Sequence, residues 1–336
     1  MLKYSIIIPV YNRPDELAEL LESIENQTYN NFEVIIIEDG SINRCVEVVD
    51  FFKSKLDIHY YFQQNTGQGF ARNTGFKYAK GNYFIVLDSD ALIEPNYLQI
   101  VDNQITTRSL DLYGGPDRDH PNFSPIQKAI SYSMTSFFTT GGIRGSKKNL
   151  GGTFHPRSFN MGLSREVWEK TKGFLITRMG EDIEFSIRAI SMGFKSGLIP
   201  EAFIYHKRRT SFSQFYKQLT FFGKARINIS RFFPKELKLV HTFPMIFTLG
   251  CLAIPLWFFI SNPLFYLSII LLGLYILLNF IDSSSKNKSI EVGLLSVVAV
   301  FVQLFAYGIG FMSEGLKMLF ELKGFKQTGE QIEYPT

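Results

Sequence analysis

"YSIIIPVYNRPDELAELLESIENQTYNNFEVIIIEDGS", residues 4–41, decides the fold. Tyr4–Val10 is a short apolar run rich in isoleucine and valine, the composition of a buried strand. Pro14-Asp15-Glu16 then opens a helical pattern, with Leu17, Leu20, Leu21 and Ile24 on one face. A second apolar run, Phe32–Ile37, follows and stops at Glu38-Asp39-Gly40-Ser41. Strand, helix and strand in this order form a right-handed crossover between parallel strands. The unit repeats downstream. Ile58–Phe62 and Tyr83–Leu87 read as further strands, with a helix after Ser41 and another from about Gly69 to Ala79. The predicted fold is α/β: a mixed, mostly parallel sheet flanked by helices.

In such a sheet, ligands bind outside the carboxyl ends of the strands. Here those ends carry Tyr11-Asn12, Glu38-Asp39-Gly40-Ser41, Gln64-Asn65 and Asp88-Ser89-Asp90. Any one of these suits a turn or a helix cap, but four on one edge exceed what capping requires. The last interrupts the apolar run of "GNYFIVLDSDALIEP", residues 81–95, where carboxylates are costly to bury without compensation. On an extended strand Asp88 and Asp90 point to the same face, and they repel each other unless a cation joins them. Hard oxygen ligands suit Mg²⁺ or Mn²⁺, which complete their shells with phosphate oxygens and water. Other nucleotide fingerprints are missing. "GQGFARNTG", residues 67–75, has Arg72 where G-x-G-x-x-G needs a third glycine, and "GIRGSKK", residues 142–148, has Ser146 where a P-loop needs lysine. Dehydrogenases and P-loop ATPases are poor matches on that ground.

The chain has 336 residues, 46% hydrophobic and 20% charged, and a formal charge of +4. The average hides two regions: residues 1–235 have ordinary globular texture, whereas His241 to Met312 carries almost no charge. Three segments there, 240–260, 263–281 and 290–312, approach the ~20 residues that cross a hydrocarbon core. Asn262-Pro263 and the polar SSSKNKS stretch at 283–289 separate them. Before them, Phe212, Phe215, Tyr216, Leu219 and Phe222 follow helical spacing, predicting an amphipathic, interfacial helical region over 211–239. Basic residues crowd Lys207 to Lys238 with only Glu236 opposing them, a pattern that an anionic leaflet attracts. Membrane lipid is therefore the expected partner of that face, and nucleic acid is not. MLKYSIIIPVYN at the start reads as a first strand rather than a signal peptide, which places the N-terminal domain in the cytoplasm. Three crossings then put Lys286 and Lys288 on the cytoplasmic side and the tail outside, although Lys317, Lys323 and Lys326 favour the inside. Cys45 and Cys251 lie in different regions, so no disulfide framework is expected.

Three stretches together resemble a known family. Residues 5–41, "NTGQGFARNTGFKYAKGNYFIVLDSD" (65–90) and "MGEDIEFSIRAISMGFKSGLIP" (179–200) are similar, in order and spacing, to inverting family 2 glycosyltransferases with the GT-A fold. The resemblance covers about residues 1–225 and suits the bacterial, membrane-anchored type with C-terminal transmembrane helices. It implies a GT-A catalytic domain over 1–210, a membrane region over 240–312 and a tail over 313–336. It also implies a nucleotide-sugar donor, expected to be a UDP-sugar, and a divalent metal. Pro9 and Tyr11 would line the nucleobase and ribose pocket. Asp39 would accept a hydrogen bond from uracil or ribose, Arg72 would approach the nucleotide or diphosphate, and Asp88, Ser89 and Asp90 would form the D-x-D segment, with Asp90 the principal metal ligand. Glu38 stands where many members have aspartate. Two adjacent acids opening a helix, Glu181-Asp182, ordinarily complement the helix dipole; the resemblance implies that Asp182 is the base that deprotonates the acceptor. His206 aligns with a histidine that some members use near the metal, and is equally a structural contact. Asn160 and Met161 fall where the acceptor side borders the site, and Trp168 reads as core.

The expected activity is sugar transfer to a hydroxyl of a lipid-linked or growing glycan acceptor, in cell-surface polysaccharide or glycolipid synthesis at the bacterial cytoplasmic membrane. Transfer to a polyprenyl phosphate ranks second, because the long segment between Asp90 and Glu181 leaves room for a bulkier acceptor. A processive synthase ranks lower, since three segments without intramembrane charges are few for a pore. A non-catalytic scaffold would tolerate loss of Asp90 or Asp182.

Overall fold

The computed structural model describes residues 3–118, 120, 122–140 and 154–320. Two compact units emerge, one of residues 3–118 and 154–207, the other of residues 120, 122–140 and 208–320. The Gly141-Gly142 and Gly151-Gly152 turns, the P-loop-like stretch and the tail beyond 320, including Lys323 and Lys326, lie outside the described residues.

The first unit opens with β1 (Tyr4–Val10), α1 (Pro14–Glu25), β2 (Phe32–Asp39), α2 (Val46–Phe52), β3 (Ile58–Gln63), α3 (Gln68–Tyr78) and β4 (Tyr83–Leu87). Then come β5 (Ala91–Ile93), α4 (Tyr97–Arg108), β6 (Leu112–Gly114) and β7 (Asp117–Arg118). A seven-stranded sheet runs in the order β3-β2-β1-β4, then the strand at Asn160–Ser164, then β6, then the strand at Ser196–Leu198. Pairing is parallel from β3 to β4, and the Asn160–Ser164 strand is antiparallel to both neighbours. The expected mixed, mostly parallel sheet is thus present. β1 and β4 are neighbours although two strands separate them in sequence, so the chain reverses its direction of travel between them. That is the topological switch point, where a crevice opens at the strand ends.

Both faces of the central strands are buried, which explains their unbroken apolar runs. Ile6, Ile8, Val34, Ile36, Ile85 and Leu87 pack on one side with α1 and α4 residues. Ile7, Ile35, Ile37, Phe84 and Val86 pack on the other with Ala71 and Phe76 of α3. Trp168, partly buried, lies edge-on to Phe84 with ring centroids 5.8 Å apart, a core contact as expected.

Two local expectations change. β2 runs two residues further than Ile37, because Glu38 and Asp39 pair with Phe62 and Gln63 of β3. And Asp88-Ser89-Asp90 is not extended: β4 ends at Leu87, and Ala91 N donates to Asp88 O at 3.0 Å, closing a turn before β5. The turn, rather than strand alternation, places the two carboxylates.

The second unit begins with α5 (Pro125–Thr135) and α6 (Phe137–Thr140). Ser124 caps α5 in a box with Gln127, and Ala129, Ile130 and Met134 form its apolar face. The remaining elements of the first unit are β8 (Asn160–Ser164), α7 (Arg165–Thr171), α8 (Glu181–Ser191), β9 (Ser196–Leu198) and β10 (Ile204–His206). β10 joins β5 and β7 in a small second sheet. The second unit then resumes with α9 (Phe212–Phe232), α10 (Phe243–Ile260), α11 (Asn262–Asn287) and α12 (Ile290–Leu319).

Residues 122–140, expected within a continuous 1–210 domain, instead belong to this helical unit. Their apolar face meets Phe215, Leu219, Val292, Ala299 and Ala306. The aromatic face predicted for an interfacial helix at 211–239 is therefore partly occupied by protein: Phe215 and Leu219 are buried against this cluster, while Tyr216 stays exposed. Leu239–Ile260, Asn262–Asn287 and Ile290–Leu319 are long and apolar enough to cross a membrane. SSSKNKS separates α11 from α12 as expected, but only at its last two residues, Lys288 and Ser289. α11 continues through Asn287, because serine and lysine are tolerated in helices and Asp282 pairs with Lys286 one turn on at 2.8 Å.

Candidate active site

The carboxyl edge of the sheet gathers acids from three places. Asp88 and Asp90 come from the turn after β4, Asp39 from the end of β2, and Glu181-Asp182 from the start of α8. The crevice between β1 and β4 also receives Arg13, at the turn from β1 into α1.

Asp90 is buried between two bases. Arg13 Nη1 donates to its Oδ2, and His206 Nε2 lies 3.0 Å from its Oδ1. Burial raises the pKa of the Asp90 carboxyl, but His206 and Arg13 outweigh it and hold the group well below the usual carboxylate range. Asp90 is therefore ionised at neutral pH. His206 is stacked on Phe159 at 5.4 Å, which fixes its ring, and Lys207 N donates to Asp90 O at 3.2 Å. Asp88 is more open and accepts from Arg72 Nη2 at 2.7 Å.

Asp88, Asp90 and His206 bring one ligand atom each to within 4.8 Å of the others. Two hard carboxylate oxygens and an imidazole nitrogen suit a divalent ion such as Mn²⁺ or Mg²⁺. The donor set therefore fits a metal at this point, with Asp90 already stripped of its proton.

Arg72 is 1% exposed and reaches no open surface. Its Nη1 lies 3.3 Å from Glu181 Oε1, and Gln68 Nε2 donates to the same oxygen. The result is a chain, Gln68–Glu181–Arg72–Asp88, whose two middle members are buried while Gln68 is exposed and Asp88 partly so. Arg72 thus ties two carboxylates together from beneath rather than presenting itself to a diphosphate, as the resemblance implied.

Asp39 is likewise engaged. Its Oδ1 accepts from Gln63 Nε2 at 2.8 Å and Thr66 N at 2.9 Å, and its Oδ2 accepts from Gly67 N at 2.8 Å. A carboxylate has about four acceptor sites, so Oδ2 keeps capacity for a ligand donor. Gly67, at φ +88, is needed there: its N–H faces Asp39 and a Cβ would strike Thr177. Glu38 is structural, accepting from Cys45 N at 2.8 Å and Tyr60 Oη at 2.7 Å. Tyr11 is half exposed at the end of β1, and Pro9 is partly buried within it. Ser89 is buried in the turn. Asn160 and Met161 lie inside β8, where Asn160 accepts from Tyr97 Oη at 2.6 Å and donates to Ala202 O at 2.8 Å. Asn160 opens β8 opposite Leu87, the last residue of β4, and so lies buried beside the edge that carries Asp88.

The acidic pair divides in two. Met179 and Gly180 both have positive φ, 64° and 100°, so a strained turn delivers the pair to the helix start. Asp182 accepts from Ile183 N at 2.8 Å, and its Oδ2 lies 3.5 Å from Arg157. It keeps partial exposure. Glu181 is buried, and burial together with the Asp182 charge pushes its pKa up to about 7 against the pull of Arg72. The stability consequence has a definite sign. A carboxyl with a raised native pKa contributes stability that is complete below about 4.5 and lost as pH rises through about 7. Folding stability should therefore fall by about 3 kcal/mol between pH 4.5 and 8. Chemical denaturation of Glu181→Gln should lack that decline, and an unchanged decline would assign it elsewhere.

Arg13, Gln68 and Arg157 were not legible as site residues. Arg13 precedes Pro14 and looks like a helix flank; only the adjacency of β1 and β4 brings it to Asp90.

Residues 5–171 match the family described as glycosyl transferase family 2. A Rickettsia bellii protein described as an uncharacterized glycosyltransferase is 45% identical over 98 residues, 29% of this chain and 14% of that protein. Glycosyltransferase GlyA of Streptococcus pneumoniae is 38% identical over 115 residues, 34% of this chain and 16% of its own length. The matched region thus spans about a sixth or less of these relatives. Among solved structures, the mannosyltransferase PcManGT from Pyrobaculum calidifontis, in complex with GDP-Man and Mn²⁺, aligns over 96% of this chain and 88% of its own, with TM-score 0.66 and 15% identity. At that identity the likeness concerns the fold.

Proposed function

We propose, on the premise that this chain belongs to glycosyl transferase family 2 through residues 5–171, that it transfers a sugar from a nucleotide donor to an acceptor hydroxyl with inversion. The observation that carries this is the convergence of Asp39, Asp88 and Asp90, at the carboxyl ends of β2 and β4, with Asp182 at the start of α8. Asp182 is the only member of the Glu181-Asp182 pair that a substrate can reach, so it takes the acceptor proton. The freed oxygen forms a bond to the anomeric carbon as the bond to the diphosphate breaks. The electron pair leaves with the nucleoside diphosphate. A divalent ion, when bound at Asp88, Asp90 and His206, supplies positive charge for that leaving group. Arg13 and His206 keep Asp90 ionised for it. Asp39, with its spare acceptor at Oδ2, and the half-exposed Tyr11 hold the nucleoside. Glu181 and Gln68 position Arg72, which in turn fixes Asp88.

The donor is proposed as a UDP-sugar and the acceptor as a lipid-linked or growing glycan. The three apolar helices support a location at the bacterial cytoplasmic membrane, with the catalytic unit on the cytoplasmic side. Holding an enzyme at the bilayer raises its effective concentration for a lipid-borne acceptor.

A donor panel tests the class directly. Purified protein should release nucleoside diphosphate from one sugar donor in the presence of Mn²⁺ or Mg²⁺. GDP-mannose belongs beside the UDP-sugars, since the Pyrobaculum mannosyltransferase is complexed with it. Chelation should reduce release at least ~100-fold, and added Mn²⁺ should restore it. Metal-independent turnover would remove the assigned role of Asp88, Asp90 and His206. Product analysis with lipid acceptors then separates a glycosidic product from a sugar on bare polyprenyl phosphate.

A further inference from the structure

At the opposite edge of the same sheet, where β2 and β3 begin, lies a second cluster of Glu33, Asp57 and His59. Six residues of strand separate Glu33 from Asp39, about 20 Å at ~3.4 Å per residue, so this cluster is remote from the active-site edge. Asp57 and His59 are two apart at the start of β3 and share a face. His59 pairs with Ile35, so Glu33 is its diagonal neighbour on the adjacent strand.

Glu33 is fully buried, and its two oxygens have different fates. Oε1 accepts from Ser5 Oγ and from Lys80 N, both at 2.6 Å. Oε2 has no hydrogen-bond partner, and neither has the buried His59 Nε2. An unsatisfied buried carboxylate oxygen is costly, and this one faces the imidazole. His59 Nε2 stands 3.4 Å from Glu33 Oε2 and 3.3 Å from Asp57 Oδ1. One ligand atom from each residue falls within 4.8 Å of the others.

These separations are long for N–H···O hydrogen bonds, which centre near ~2.9–3.0 Å. They match the edges of a tetrahedral coordination sphere, where bonds of ~2.0–2.2 Å place ligand atoms ~3.3–3.5 Å apart. The geometry points to a second divalent-cation site at Glu33, Asp57 and His59, of the Zn²⁺ class. The imidazole nitrogen favours a borderline transition ion over Mg²⁺ or Ca²⁺. Three protein ligands leave the fourth position to water on the exposed Asp57 side. Oε2 of Glu33 gains the partner it lacks, while Ser5 and Lys80 fix the carboxylate through the other oxygen. A cation here clasps the starts of β2 and β3, which are otherwise joined on this edge by Val34 N donating to Asp57 O at 2.8 Å.

The test uses the detergent-solubilised full chain, stripped with chelator and loaded with Zn²⁺ alone. Bound zinc is counted after gel filtration, and affinity is taken from competition with a chromophoric chelator. The parent should hold one equivalent that Asp57→Asn and His59→Gln weaken at least ~10-fold. The same equivalent should remain in Asp90→Asn, which separates it from the active-site edge. X-ray absorption of the Asp90→Asn protein should show a nitrogen and oxygen shell at ~2.0–2.1 Å. Equal zinc affinity in the parent and both cluster variants would overturn the assignment, leaving the His59 ring between two carboxylates with no metal. If His59→Gln fails to fold, Asp57→Asn decides alone, because its side chain is exposed.

Discussion

Replacing Asp90 with asparagine should lower kcat for nucleoside diphosphate release by about 10³-fold, the range seen when a preorganised electrostatic group is removed. The substitution preserves volume and deletes only charge. In the native protein that charge is secured twice, by Arg13 on Oδ2 and by His206 on Oδ1. Both partners lose their counter-charge in the variant. Stability should fall by about 2 kcal/mol, less than the ~3–5 kcal/mol of a fully buried pair, because Arg13 is one-third exposed. Denaturant titration measures that loss separately from turnover. The Mn²⁺ dependence distinguishes loss of metal binding from a displaced turn. Wild-type activity should saturate with Mn²⁺, and the variant should show no saturation over the same range. Activity within tenfold of wild type would count against Asp90 as the ligand.

Arg13→Ala should show a smaller version of the same defect, since it removes one of the two supports. That contrast bears on what was legible in the chain. β1 and β4 have the same bounds in sequence and in structure because each is a buried strand whose apolar run ends at a polar turn. Asp88 and Asp90 were visible for a similar reason, as acids that interrupt an apolar run, whereas Glu181 and Asp182 look like ordinary acids at a helix start and stood out only through the family resemblance. Their connections were not visible. Arg13 meets Asp90 across 77 residues and Arg72 meets Glu181 across 109. Such pairs depend on strand order, which local periodicity does not encode. The same holds for α5, a helix not read from the sequence, whose apolar face is covered by residues far along the chain. Asp39 illustrates a third kind of limit. Its position at a strand end is legible, whereas the three donors from residues 63–67 that occupy it arise from the turn into α3.

Asp182→Asn should reduce transfer to acceptor by about 10³-fold, within the ~10²–10⁴ range of general-base catalysis, while donor binding stays near the wild-type level. The base acts on the acceptor, so the defect belongs in kcat rather than in donor KM. Glu181→Gln should behave differently. Glu181 is buried against Gln68 and Arg72 and touches no substrate, so it acts as a positioning residue. A loss of about tenfold is expected, together with a change in pH dependence that a purely structural role would not produce. Its pKa is pushed up to about 7 by burial and by Asp182. Above that pH the ionised Glu181 draws Arg72 into its place beside Asp88. Below it, that effect fades. The kcat/KM profile of the native enzyme should therefore climb through a limb near pH 7, and Glu181→Gln should lack that limb. Persistence of the limb in the variant would assign it to another group. Retention of more than a tenth of the activity in Asp182→Asn would move the base away from α8 altogether.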